Sequence, residues 1–244
     1  MAEQLAEQLA EQLAERCWPE LDAVRPVVLV PVGSLEQHGP HLPLDTDTRI
    51  ADQVARAVAR QLTDHEVVVA PAVGYGASGE HEHFPGTVSI GHEALHQMVV
   101  EVGRSACRWS GPLIFVNGHG GNTESLRAGV RRLRAEGRPV SWVSCSIRGG
   151  DLHAGRAETS LLCHLAPHVV QRHAAVAGPT APLDELWPAL RAHGVRAISP
   201  SGVLGDPTGS SAAEGARLFA ELVADVTTAV LAELRRVAQA SSQP

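Results

Sequence analysis

Two hydrophobic periods alternate along this chain. Val27 to Val32 is continuously apolar, which predicts a strand buried on both faces; Val67 to Val73 and Leu113 to Val116 repeat the signature, and Val140 to Ile147 reads as a fourth strand. Between these runs the spacing changes to three and four residues. Ile50, Val54, Val58 and Leu62 make one stripe, Leu95, Met98, Val99, Val102 and Ala106 a second, and Leu126, Val130 and Leu133 a third. That period sets each group on one face of a helix. Strand, loop and helix in repetition predict an α/β fold: a mainly parallel central sheet sandwiched by helices, in a single domain. A last helix is expected to start at Ser211, with Glu214 three residues on completing a capping box, and to bury Phe219, Leu222, Val223, Val226 and Val230. Residues 171–210, rich in Pro, Gly and Ala, show no period and read as irregular structure near the site.

At the N-terminus Ala-Glu-Gln-Leu occurs three times over residues 2–13, which puts Leu5, Leu9 and Leu13 on one helical stripe. Residues 1–18 are thus expected to form a helical extension docked on the body or on a neighbouring subunit, and residues 19–240 the main domain. Composition narrows the function classes. The 244 residues carry a net charge of −7 and no compact Lys/Arg cluster, which argues against nucleic acid or an anionic membrane surface as a partner. No apolar run approaches bilayer length, and the acidic N-terminus lacks the regions of a signal peptide. Cys17, Cys107, Cys145 and Cys163 are widely spaced, as expected for reduced thiols in a cytoplasmic protein.

The candidate chemistry sits in the loops that follow the predicted strands, where open parallel sheets bind their ligands. After the first strand come Glu36 and His38, two residues apart and on one side if the extended conformation persists, then Asp47 at the start of a helix. His119 follows the third strand between glycines, and His153 and Glu158 follow the fourth. Carboxylates and imidazoles without thiolates suit two divalent ions, Zn²⁺, Fe²⁺ or Mn²⁺. The three carboxylates offset three of the four charges such a pair brings, and Asp47 is the natural bridge, one oxygen to each ion. Two metals about 3.5–4 Å apart can activate one water and polarise one carbonyl. A nucleotide site is a poorer reading. Gly74 to Gly79 matches G-x-G-x-x-G, but the residues behind it have no helical pattern and place Glu80 and Glu82 where a pyrophosphate would lie.

The segment Gly33 to Leu44, with Thr46-Asp47 behind it, resembles the creatininase family. So do Glu80-His81 with Phe84-Pro85-Gly86-Thr87, Asn117 to Asn122, His153-Ala154-Gly155 with Glu158-Thr159, and Gly205-Asp206-Pro207. The anchors fall in family order over most of the chain. What the resemblance implies is a two-metal amidohydrolase, usually a homo-oligomer. Glu36 and His119 would hold one ion, His38 and Glu158 the other, and Asp47 would bridge. His153 would act as general acid and base at the reacting amide. Creatinine-hydrolysing members carry Tyr and Glu directly after the third-loop His, whereas this chain has Gly120 and Gly121. Residues 44–48 and 150–160 resemble instead a branch that cleaves one peptide bond near the C-terminus of a small modified peptide; a cyclic amide or formamide is the alternative substrate. His81 and His83 are expected to wall the site. His41, His65, His92, His96, His164, His168, His173 and His193 read as surface or packed residues. Trp109, Trp142 and Trp187 are expected in the core or an interface, with a substrate groove as the other place for Trp187.

Overall fold

The computed structural model describes residues 12–241. Its sheet has four strands, β1 (Val27–Val32), β2 (Val67–Val69), β3 (Leu113–Asn117) and β4 (Val140–Ser144). All pair in parallel, in the order β2-β1-β3-β4. A short helix α1 (Trp18–Asp22) precedes the sheet. Helices α2 (Thr46–Gln61), α3 (Gly91–Ala106) and α4 (Thr123–Ala135) make the three crossovers. After β4 come α5 (Arg156–Leu165), α6 (Leu183–His193), α7 (Val195–Ile198) and the long α8 (Ala212–Ser241).

Side chains of a strand alternate between faces, so the continuous apolar runs supply two cores. Val27 and Leu29 of β1, with Ile114 and Val116 of β3, pack under α2, α5 and α8. Val28, Val30 and Val32 of β1, with Leu113 and Phe115 of β3, pack under α3 and α4. Leu29, Val32, Leu113 and Phe115 are fully buried; truncating one such Leu to Ala typically costs about 2–5 kcal/mol. The sheet grows from β1 to β2 on one side and then, through α3 on the opposite face, to β3 on the other. The loops leaving β1 and β3 consequently diverge and open a crevice at the carboxyl ends of the strands.

Four expectations need correction. The second apolar run pairs only as Val67–Val69, because Pro31 and Pro71 both lack the N–H that the ladder needs there. The chain bulges by one residue and rejoins β1 where Val73 N donates to Pro31 O and Gly33 N to Val73 O, each at 2.9 Å. The fourth strand stops at Ser144, opposite Asn117 where β3 ends, rather than reaching Ile147. Residues 171–210 are not all irregular: they contain α6 and α7. Leu186 and Leu190 pack with Phe84, Val195, Ile198 and Leu204, and Gly194 at φ 71° ends α6. Pro188 inside α6 hid that stripe. Ser211 does cap α8, its hydroxyl accepting Glu214 N at 3.1 Å, but the capping box is half built. Glu214 turns away to Arg156 and Ser160, tying α8 to α5.

Of the N-terminal repeat, Leu5 and Leu9 lie outside the described residues. Gln12 bridges Val69, and Leu13 starts a 3-10 turn packed against the α3/α4 core, which Trp109 and Trp142 also flank. Trp187 is exposed. Among the described residues no helix is long and apolar enough to cross a membrane, and the four cysteines are free thiols.

Candidate metal centre

Glu36, His38, Asp47, His119, His153 and Glu158 converge at the crevice between the β1 and β3 loops. The chain leaves β1 without continuing as a strand, yet the loop folds back so that Glu36 N meets Leu44 O at 3.0 Å. That return places Asp47, in the first turn of α2, beside the side chains of its own loop. Asp47 stands between two imidazoles: Oδ1 is 3.1 Å from His38 Nε2 and Oδ2 is 3.2 Å from His119 Nδ1. Ser34 Oγ donates to Asp47 Oδ2 at 2.7 Å. His119 Nδ1 lies 3.2 Å from Glu36 Oε1, and Glu158 Oε2 lies 3.9 Å from His38 Nε2. Close approach of backbone is needed here, because a Cβ on Gly118 would collide with Asp47 O.

The rings are held from behind. His38 Nδ1 is 3.2 Å from Glu36 O, and His119 Nε2 is 3.3 Å from Ala77 O. A carbonyl can only accept, so each of those nitrogens carries a hydrogen, and the nitrogen facing Asp47 is the one left to give up its proton to a cation, as in metal-binding imidazoles. Glu158 is steadied by Ala154 N, which donates to Oε2 at 2.6 Å. Ala154 itself has φ 53°, an unusual value for a residue with a Cβ, at the turn from His153 into α5.

The cluster is electrostatically tense. Burial pulls the His38 pKa down, but the Asp47 carboxylate outweighs it and raises the value to about 10. His119 is likewise raised well above the ordinary range, burial being overcome by Glu36 and Asp47. Burial and then the Asp47 charge push Glu158 up to about 7. Burial, reinforced by the neighbouring imidazoles, lowers His81 to about 3 and takes His153 well below its usual value. Both Glu36 carboxylate oxygens are buried and accept no hydrogen bond among the described residues, although three imidazoles face Oε1 at 3.2–3.7 Å. A buried carboxylate without donors costs several kcal/mol unless a cation meets it.

That donor set fits divalent ions. Ligand atoms of Glu36, Asp47 and His119 lie within 4.8 Å of one another, and so do those of His38, His153 and Glu158. The first group brings Glu36 and His119 together with Asp47, and the second brings His38 and Glu158 together with His153. Glu36, His81 and His153 form a third such group. His81, expected as wall, is buried among the ligand candidates, while His83 lines a cavity of about 630 Å³ with Glu80, His92, Arg191 and His193. That cavity meets the cluster through Glu80, whose Oε1 is 3.6 Å from His119 Nε2. A second cavity of about 480 Å³ adjoins the His153 loop at Asp151, Leu152 and Leu204. His41 is fully buried, 2.8 Å from Thr159 Oγ1. Sequence reasoning missed Ser34 and Gln37 as partners; their place in the first loop was the only available signal.

The sequence model of the family described as creatinine amidohydrolase matches residues 14–230. A mycofactocin precursor peptide peptidase of Mycolicibacterium smegmatis is 58% identical over 207 residues, which cover 84% of this chain and 84% of that one. The creatinine amidohydrolase of Pseudomonas putida is 28% identical, covering 86% of this chain and 88% of its own. A solved Glu-to-Gln mutant of creatininase, described as the Zn-Zn type, superposes with a TM-score of 0.76 at 26% identity, over 92% of this chain and 98% of that one. With the parallel sheet, the crevice and the carboxylate–imidazole cluster all on one matched span, this chain is a hydrolase that belongs to the creatininase family.

Proposed function

We propose that this chain is a two-metal peptidase that cleaves the mycofactocin precursor peptide, releasing a Val-Tyr-derived dipeptide from the C-terminus of that small modified peptide. The observation that carries the metal half is Asp47, buried between two carboxylate–imidazole pairs with a different oxygen toward each. Support for the peptide half is the 58% identity to a peptidase of that name against 28% to a creatinine amidohydrolase. Glycine at positions 120 and 121, in place of Tyr and Glu, agrees with it.

Glu36, Asp47 and His119 would hold one ion and His38, Asp47 and Glu158 the other. Zn²⁺, Fe²⁺ and Mn²⁺ all suit these oxygen and nitrogen donors. Bound there, the ions would supply Lewis acidity, acidifying water and polarising the scissile carbonyl. The protein does the rest. His153 takes the proton of the attacking water and passes it to the leaving nitrogen as the C–N bond breaks. Burial of the cluster excludes bulk water, and the two flanking cavities give an extended peptide room on either side of the cut. We place the enzyme in the cytoplasm, as a homo-oligomer. The test is mass spectrometry of the modified precursor peptide after incubation with the metal-reconstituted protein. Release of the C-terminal dipeptide that stops with chelator is expected; an intact peptide beside a folded, metal-loaded protein rejects the substrate.

A further inference from the structure

Gln37 lies between the two ligand candidates Glu36 and His38, and its buried side-chain amide reaches both His81 and His153, two of the imidazoles that face Glu36. Its orientation is fixed by its surroundings. Gly39 N donates to Oε1 at 2.8 Å, so Oε1 is the oxygen and Nε2 the NH₂ group. One Nε2 hydrogen goes to Gly202 O at 3.0 Å. Gly202 has φ 83°, and a Cβ there would collide with the Gln37 amide, so only glycine permits this approach.

The second Nε2 hydrogen has two claimants, His81 Nδ1 at 2.9 Å and His153 Nε2 at 3.0 Å. Main chain decides between them. His153 Nε2 is also 2.7 Å from the Gln37 carbonyl oxygen, which can only accept. That nitrogen must therefore carry a hydrogen, and it has no lone pair left for the amide. The Gln37 hydrogen goes to His81 Nδ1, and the hydrogen of the neutral His81 ring then sits on Nε2.

We propose that Gln37 is a positioning residue that sorts the two imidazoles beside Glu36, giving His81 a hydrogen to donate and leaving His153 a bare nitrogen. Both rings address the same atom: Glu36 Oε1 is 3.4 Å from His81 Nε2 and 3.7 Å from His153 Nδ1. His81 thus turns an N–H, rather than a lone pair, toward the Glu36 carboxylate at 3.4 Å, an electrostatic contact from the ring side that leaves the oxygens free for a cation. His153 enters turnover as an acceptor. The O–H bond of water breaks, its proton goes to Nδ1 and its oxygen bonds to the scissile carbonyl carbon; the same proton then moves to the departing nitrogen as the C–N bond breaks. Only this last consequence rests on the proposed peptidase reaction; the arrangement of hydrogens does not.

The experiment is long-range ¹H–¹⁵N spectroscopy of the full chain with ¹⁵N-labelled histidine, chelated and zinc-loaded, in the wild type and in Gln37→Met and Gln37→Glu. In the wild type, His81 and His153 should both show a protonated Nε2 and a bare Nδ1. Gln37→Met should leave His153 unchanged, because its partner is the main chain, while His81 loses its fixed tautomer. Gln37→Glu puts an acceptor in place of the donor and should move the His81 hydrogen to Nδ1. Zinc affinity should drop about 10- to 100-fold in Gln37→Met, the usual effect of removing an outer partner. A His81 that keeps a single Nε2–H tautomer in Gln37→Met overturns the proposal. So does a bare Nε2 on His153 in the wild type, a result that needs no variant to fold. A protein with these tautomers but no peptide cleavage would sink the substrate reading and leave this one standing.

Discussion

Loading both metal positions of the chelated protein with zinc is expected to expel about two and a half protons at pH 7. Burial disfavours the charged form of His38, but Asp47 at 3.1 Å wins and its pKa rises to about 10, so the ring is protonated. The same contest between burial and the carboxylates leaves His119 protonated too. Each ring must shed a proton before its nitrogen can meet a cation. Glu158, raised to about 7, is half protonated and adds half a proton, while Asp47 and Glu36 are held low and add none. The sign follows directly. A released proton makes binding tighter as pH rises, so the product of the two zinc association constants should grow by about two to two and a half powers of ten between pH 7 and pH 8. At pH 8.5 Glu158 has already titrated in the chelated protein, so its half proton should drop out of the release. Calorimetry in buffers of different ionisation enthalpy reads the number as a slope, and His38→Ala should lower it by about one. A slope below about one proton in the wild type would refute the claim that these imidazoles face the cations.

Ser34→Ala removes the hydroxyl that donates to Asp47 Oδ2 at 2.7 Å; zinc affinity measured by competition should drop about 10- to 100-fold with the fold retained. Gly121→Glu restores the carboxylate that creatinine-hydrolysing relatives carry at this position, but its Cβ would strike Ala77 O and His119 Nε2. Metal content should fall and no creatinine turnover appear; a creatinine-active variant would show that the loop has room. Asp151 Oδ2 accepts Arg156 N and Asp206 N, each at 2.9 Å, and pins the His153 loop to the Gly205 turn. Asp151→Ala should keep its metals, lose about 1–3 kcal/mol in thermal unfolding, and lower kcat more than KM. Unchanged kcat would mean that the loop holds His153 without the pin.

The two cores were readable because β1 and β3 are buried on both faces, and burial of that kind leaves a continuous apolar run that no surface loop imitates. In two of the four places where the reading failed, a proline was the reason. Pro71 cut the second run short against Pro31, and Pro188 masked the stripe of α6, although Asp184 and Glu185 in its first turn, Arg191 and His193 in its last and Gly194 behind it all marked a helix. The ligand candidates were legible for a different reason. Each sits just past a strand, so topology alone gathers Glu36, His38, Asp47, His119, His153 and Glu158 at one end of the sheet. What orients them was not legible. Ala77 O lies 42 residues from His119 and Gly202 O lies 165 from Gln37, and a carbonyl leaves no trace in a sequence. The motif around Glu36 and His38 specifies which atoms stand in the crevice. The distant carbonyls decide which of those atoms carry hydrogen, and on that depends whether an imidazole acts there as ligand, donor or base.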